Sequence, residues 1–361
     1  MQRELCSYVA SIQAYIPETL GSVNTCIDWV TLVGAGISVA AGIPDFRSKQ
    51  KIPGIPELSQ RKLKDMFQLS MITARRMSSS CYVNLWHCFM QDNNLKPLFA
   101  RFTARLAQMS MHSEPTLFHK LLKNLNDRGT LVRIYTQNID GLELKAGVSA
   151  YHRSCGHLQP PRCIPLHGSL QYVYCQSCNA VEEMRDHEYE LMEGKFPSCN
   201  RCKKEQEARR EAGKRVRLVP VMVPDIVLYD QEHPDSQGIA EFQTEDLSGA
   251  RPIDLLVVVG TGMHVIGTQR IIREFAQQVR KNRAPTDPSP GVIYLNLDFK
   301  QPKKWEYIFD LWIQADCQVV AGAVLDALKE EDERATMQPC ISNTHEVEWN
   351  MNLTQIELNI I

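Results

Sequence analysis

No stretch of this sequence holds the ~18 consecutive apolar residues that a membrane-spanning helix needs, and no apolar run near its start reads as a secretory signal. A membrane or secretory reading therefore finds no support. An excess of charge of one sign is missing too: 40 Lys and Arg stand against 42 Asp and Glu, a net of −2. That excludes a chain whose whole surface grips nucleic acid electrostatically, and sequence-specific nucleic-acid binding is not expected. Nothing along the chain repeats internally. Cysteine, by contrast, is plentiful at twelve residues. With no secretory signal, a metal site plus free thiols is expected rather than a disulfide framework, and with it a reducing compartment, cytosol or nucleus. The 361 residues suit one large domain with a smaller insert, or two domains.

The stretch with most to say is TLVGAGISVAAGIPDFRS, residues 31 to 48. An apolar run from Trp29 to Val33 enters the turn Gly34-Ala35-Gly36, then small residues, then Pro44-Asp45-Phe46-Arg47. A strand running into small residues lets a backbone approach a pyrophosphate closely. The ordinary dinucleotide fingerprint is absent, because position 39 holds Val39 instead of a third glycine and no acid follows about 20 residues on to take a ribose hydroxyl. A dinucleotide site is expected, but not one for hydride transfer.

Residues 49 to 128 carry apolar residues at helical spacing, as in LSQRKLKDMFQLSMITARRM, SCYVNLWHCFMQD and PLFARFTARLAQM, with a further helix from Glu114 to Asp127 stopping before Gly129. LVRIYTQNIDGL (131–142) reads as a strand running into Gln137, Asn138, Ile139 and Asp140, the place where open α/β sheets hold ligands. His152, Cys155, His157 and Cys163 allow a second metal site as an alternative, but their irregular spacing reads better as loop thiols and surface histidines in a polar connection. His167 ends an apolar run just before Gly168. Cys175 and Cys178, then twenty residues, then Cys199 and Cys202 make two CxxC knuckles. Four thiolates fill a tetrahedral zinc site with no open position, so the zinc should be structural. Residues 203 to 217, seven basic and three acidic, read as a solvated helix or loop, with nuclear import, a histone-tail contact or a DNA contact as lesser alternatives. Leu218 to Tyr229 reads as an edge strand, given Pro220 and Pro224. Further strands are expected at Asp254–Gly262, at 291–298 ending in Asn296, Leu297 and Asp298, and at Asp316–Val320, each followed by a helix or loop. The recurring unit is strand, glycine or polar turn, helix. It predicts an α/β class, a doubly wound Rossmann-like parallel sheet with an inserted zinc module and a helical insertion.

In order, GAGIS, GIPDFRS, TQNID, HG, two CxxC pairs, PDIV, GT, LN-x-D and DC resemble the motifs of the sirtuins, the Sir2 family of NAD-dependent protein deacylases, over roughly residues 29 to 325. LYDQEHP and the long connection before His167 resemble the fungal Hst branch, which acts on histone H3. The resemblance implies an NAD site formed by Gly34, Ala35, Gly36, Asp45, Phe46, Arg47, Gln137, Asn138, Ile139, Asp140, Gly260, Thr261, Gly262, Asn296, Leu297, Asp298 and Cys317. It implies catalysis by Asn138 and by His167 as general base, peptide binding at Val227, Leu228, His264 and Val265, and one structural zinc on Cys175, Cys178, Cys199 and Cys202. Its domain layout would be an extension (1–28), a catalytic domain (29–335) and a tail (336–361). Within the catalytic domain, 29–48, 115–170 and 216–335 would be Rossmann-like, 49–114 the helical insertion and 171–215 the zinc module.

The implied activity is transfer of acetyl from acetyl-lysine to ADP-ribose with release of nicotinamide. The implied partner is an acetylated histone in chromatin, in the nucleus, with the cytoplasm open as an alternative. Two rival readings use the same core: a protein mono-ADP-ribosyltransferase, and a non-catalytic NAD-binding chromatin scaffold. Departures from the common pattern are Leu228-Tyr229-Asp230 after PDIV and Gly262 where many relatives carry Ser.

Overall fold

The computed structural model describes residues 27–44, 95–152, 160–227, 233–249, 251–284, 287, 289–298, 305–337 and 357–359. The two helical stretches expected between 57 and 92 lie outside them.

Two sheets organise the chain. The larger has strands β1 (Trp29–Val33), β2 (Leu131–Thr136) and β3 (Cys163–Pro165), then β7 (Leu255–Val259), β8 (Val292–Leu295), β9 (Leu311–Gln314) and β10 (Glu357–Asn359), in the order β10-β9-β8-β7-β1-β2-β3. Every pairing from β9 to β3 is parallel, and β10 closes the edge antiparallel to β9. The smaller sheet is antiparallel, β5-β4-β6, from β4 (Gly168–Cys175), β5 (Val181–Glu183) and β6 (Met222–Ile226).

The parallel strands are apolar on both faces because both faces are covered. Leu255, Val257 and Val259 of β7 face one core with Phe118, Leu121 and Leu122 of α2 (Leu117–Asp127) and Leu328 of α6 (Cys317–Met337). Leu256 and Val258 face the other, with Ile272, Phe275 and Val279 of α5 (Ile266–Asn282). The small sheet has its own core, shared with Phe99, Phe102 and Leu106 of α1 (Leu95–His112). It carries α3 (Asn200–Glu211). One further helix, α4 (Ser236–Leu247), follows β6.

The chain runs β1, β2, β3 towards one edge, then returns to β7 on the other side of β1. At such a reversal, sheets of this kind form a crevice at the carboxyl ends of the central strands, the usual ligand position.

Several elements differ from the sequence expectation. Asp316–Val320 is not a strand. Asp316 Oδ1 accepts from the Gln318 N–H at 2.8 Å and so starts α6 at Cys317, while the last parallel strand is Leu311–Gln314. The β-branched pair Val319-Val320 suggested a strand, but the aspartate turn decides. Helix α2 begins at Leu117 rather than Glu114, after the cap Thr116, whose N–H donates to His119 Nδ1 at 3.3 Å. The strand expected over 218–229 is confined to Met222–Ile226 and is an edge of the small sheet, where Pro224 costs no ladder. β3 and α4 were not foreseen: β3 is three residues long, and α4 lacks a strong apolar stripe.

Candidate active site

The turns after β1 and β7 meet first. Gly34 N donates to Val259 O and Gly36 N to Gly260 O, both at 2.9 Å. A Cβ on Gly36 would sit 2.7 Å from Gly260 Cα, and Gly260 itself has φ +61. These glycines are required where two backbones touch, and the Gly34 and Gly36 N–H groups are engaged there. The reason differs from the one the sequence suggested, a bare approach to pyrophosphate. Cys317 and Gln318, at the start of α6, brace the first turn. Cys317 Sγ donates to Gly36 O at 3.6 Å and Gln318 Nε2 to Ile37 O at 3.0 Å. Burial, with help from Asp316, pushes the Cys317 thiol up to about 12, so it stays a neutral donor.

Gln137 crosses the reversal: its N–H donates to Val33 O at 2.9 Å and its Nε2 to Thr261 Oγ1 at 2.8 Å. Asn138 is buried, with Nδ2 donating to Ser38 Oγ at 3.3 Å and Oδ1 left without a partner among the described residues. Ile139 turns into the small-sheet core, and its carbonyl accepts from Leu170 N at 2.8 Å. Asp140 is buried and accepts from Leu142 N at 2.9 Å.

Around Asp140 lies a cluster that sequence reasoning missed. His119, Asp140 and Glu143 place one ligand-type atom each within 4.8 Å of the others, all buried. Burial lowers His119 to about 4. Burial, and next the Asp140 charge, raise Glu143 to about 8. Burial raises Asp140 as well, against hydrogen bonds from Leu142 and Ser38. Two carboxyls this close cannot both ionise, so the pair holds a proton at neutral pH beside a neutral imidazole. Among the described residues His119 Nε2 and Glu143 Oε1 have no partner. One signal was present: Glu143 is three residues after Asp140 on the single turn Leu142–Lys145. No local pattern points to His119.

His167 joins the two sheets. Its Nδ1 lies 2.9 Å from Gln137 O. A carbonyl only accepts, so Nδ1 carries the proton and Nε2 is the basic nitrogen. Burial lowers its pKa below the ordinary histidine value, with the Gln137 carbonyl opposing, so the ring is neutral at physiological pH. Its carbonyl accepts from Val227 N at 3.0 Å. The next residue must be glycine: Gly168 has φ +78, and a Cβ there would collide with the Asp225 carbonyl oxygen.

The remaining expected contacts spread along the same edge. Asn296 Nδ2 donates to Tyr294 Oη at 2.9 Å and to Asp298 O at 2.7 Å, while Leu297 and Asp298 are exposed. Thr261 is buried and Gly262 half-buried. His264 is exposed and Val265 half-buried, just before α5. Among the described residues β6 pairs only with β4, so no ladder joins the Val227 end to residues 264–267. Asp45, Phe46, Arg47 and Leu228 lie outside the described residues.

The metal set is compact. All four sulfurs lie within 4.8 Å, with Cys175–Cys202 at 3.8 Å and Cys178–Cys199 at 3.6 Å. Zn–S bonds of about 2.3 Å in a tetrahedron put sulfurs about 3.8 Å apart, so the donor set fits zinc. Cys155 and His157 lie outside the described residues. Cys163 is buried in the parallel-sheet core, and His152 stacks on Tyr172 at 3.8 Å.

The family model of the Sir2 family matches residues 34–267. The chain is 31% identical over 303 residues to the NAD-dependent histone deacetylase HST4 of Saccharomyces cerevisiae, covering 81% of this chain and 74% of that one. It is 33% identical over 296 residues to the NAD-dependent protein deacetylase hst4 of Schizosaccharomyces pombe, covering 80% and 64%. To the protein of that name from Emericella nidulans it is 30% identical over 314 residues; the match takes in 87% of this chain but about half, 49%, of that relative. Among solved structures, Sir2Tm bound to a propionylated peptide aligns with a TM-score of 0.55 at 21% identity, over 87% of this chain and 98% of that one, a likeness of fold.

Proposed function

This chain belongs to the Sir2 family, and from that premise we propose that it is an NAD-dependent protein-lysine deacetylase acting on acetylated histones. The observation that carries the reading is His167: a neutral imidazole whose Nδ1–H is held by Gln137 O at the carboxyl edge of the parallel sheet, which leaves Nε2 as its basic nitrogen. The fungal relatives' names support the activity, and that of the Saccharomyces cerevisiae protein specifies histones.

NAD is the co-substrate. In the reaction its bond to nicotinamide breaks, acetyl leaves lysine for ADP-ribose, one water is consumed, and lysine, nicotinamide and O-acetyl-ADP-ribose are released. The weak nucleophile, an amide oxygen, must be held in line against the ribose carbon. Asn138 helps position the ribose, its buried Oδ1 being without a partner among the described residues. Asp140, sharing a proton with Glu143, is able both to donate to a carboxamide oxygen and to accept from its NH₂. His167 Nε2 takes the proton from a ribose hydroxyl as that oxygen attacks the acyl carbon. Gln137 and Thr261 brace the crevice, with Gly260, Thr261, Gly262, Asn296, Leu297, Asp298 and Cys317 on the adenosine side. Zinc on Cys175, Cys178, Cys199 and Cys202 holds the small sheet and takes no part in the chemistry. Val227, tied to His167 O, and His264–Val265 flank the peptide path. The catalytic domain spans 29–335 in this reading, and the protein works in the nucleus on chromatin.

The test is mass spectrometry on acetylated histones with NAD added or withheld, beside His167→Ala. Acetyl loss that needs both NAD and His167, with O-acetyl-ADP-ribose formed, is the expected result. ADP-ribose accumulating on protein without acetyl loss would replace this reading with a transferase.

A further inference from the structure

The charge that the chain lacks as a whole is gathered on one element. Residues 203–217 carry seven basic side chains against three acidic, in a protein of net charge −2. Lys203, Lys204, Arg210, Lys214, Arg215 and Arg217 are exposed. Among the described residues none of them forms an ion pair, although Glu205, Glu207 and Glu211 are nearby in sequence.

The arrangement is folded rather than loose. Cys202 and Gln206 are the buried side of α3. Lys203 and Arg210, three residues before and four after Gln206, flank that side in one row. After Gly213 the chain doubles back: Lys214 N donates to Arg209 O at 2.9 Å, Arg209 Nε to Arg215 O at 3.1 Å, and Arg217 N to Gln206 Oε1 at 2.7 Å. The strap 214–217 is thus tied to α3 at Arg209 and Gln206, so that its exposed cations and those of the helix are held on one folded element. Like charges gathered on one element repel, and an anion relieves that repulsion.

The shape selects among anions. An import receptor reads an extended basic segment, whereas these residues are fixed by a zinc knuckle and a helix. Single-stranded nucleic acid needs aromatic platforms for its bases, and residues 201–218 contain no aromatic. Point charges spread along a ridge, without base-reading groups, match a duplex phosphate backbone.

We propose that the ridge formed by α3 and the strap 214–217 is a docking surface for the phosphate backbone of double-stranded DNA, without sequence preference. It is separate from the crevice at the parallel strands and does not depend on the acyl-lysine reading. If that reading holds, the ridge brings substrate packaged on DNA within reach.

The test is fluorescence anisotropy of the full-length, zinc-loaded protein with a labelled random-sequence duplex of about 30 base pairs, from about 50 to 200 mM salt. Log affinity should fall against log salt with a slope of about −3 to −5. Lys203→Glu, Arg210→Glu, Arg215→Glu and Arg217→Glu together should lower affinity at least about tenfold and flatten the slope by about 3. Zinc content and turnover of a free acetylated peptide should stay unchanged. Should the charge reversals release zinc, Lys203→Gln with Arg215→Gln should still flatten the slope by about 2. No binding at low salt, or equal binding by wild type and variant, overturns the proposal. So does a variant that keeps DNA binding while losing affinity for polyglutamate, which would assign the ridge to an acidic protein.

Discussion

Burial keeps His167 neutral and keeps one proton on the Asp140–Glu143 pair, and two pH dependences follow. His167 serves as a base only when neutral, and burial holds its pKa below the ordinary 6.5. The acid limb of kcat/KM should therefore fall below pH 6.5, and His167→Asn should cost about 10²–10⁴ in rate. A limb at or above 6.5 would place another group in the role. Glu143 acts in the opposite direction. Its folded pKa, raised to about 8 from 4.5, means that the folded state keeps a proton the unfolded state has lost. The stability tied to that proton is full below pH 4.5 and is lost as pH rises through about 8. The melting temperature of the ligand-free protein should decline between pH 5.5 and 8.5, and Glu143→Gln, which cannot ionise, should flatten that decline by up to about 1 kcal/mol per pH unit. An unchanged slope in the variant would show that the pair ionises freely. Asn138 and Asp140 were legible because they sit in a short polar string after a strand, and His167 because it ends an apolar run just before a glycine. His119 was not, because it reaches the cluster from a separate element and nothing local marks it.

At the scale of elements, the crevice depends on two turns that touch. Gly36 and Gly260 approach so closely that a methyl group on Gly36 would be 2.7 Å from Gly260 Cα, with backbone on both sides unable to yield cheaply. Gly36→Ala should therefore push the β1 and β7 turns apart, costing about 1–3 kcal/mol as overpacked sites do. Gln137, which bridges to Thr261, moves with them. Calorimetry should find NAD binding weakened by more than about tenfold and a lowered melting temperature. Gly42→Ala makes the control: a Cβ there meets nothing within 4 Å, although its φ of +82 carries a small strain of its own. Equal NAD affinity in Gly36→Ala and wild type would refute the interlock. Strands β1, β2, β7 and β8 were readable as apolar runs ending in glycine or polar turns. Cys317–Val320 misled because its β-branched residues favour a strand, while the Asp316 side chain captures the Gln318 N–H and starts a helix instead.

The molecule as a whole has two supports for one site. The parallel sheet supplies Gln137, Asn138 and Asp140, and the small sheet fixes the backbone around His167 through Gly168↔Ile226 pairing and the Val227 N–H. The spacing of the four cysteines announced the metal site, but not that its sheet shares a core with α1 and Ile139. That contact joins segments far apart in sequence, so periodicity alone could not show it. It makes the zinc a remote support of catalysis. Structural zinc contributes on the order of 10 kcal/mol to small modules, more than the small core offers alone. Removing it should melt the small sheet first, because β7, β1 and β2 have separate cores on both faces. A chelator, or Cys199→Ser, should therefore abolish deacetylation and give two thermal transitions in place of one. The upper transition should be retained by the parallel sheet, and NAD should still bind weakly, since its turns belong to that sheet. Restoring zinc to the chelated wild type should restore activity and merge the transitions. Chelation that removed NAD binding and both transitions together would instead mean that the two cores fold as one unit and that the zinc holds up the whole protein.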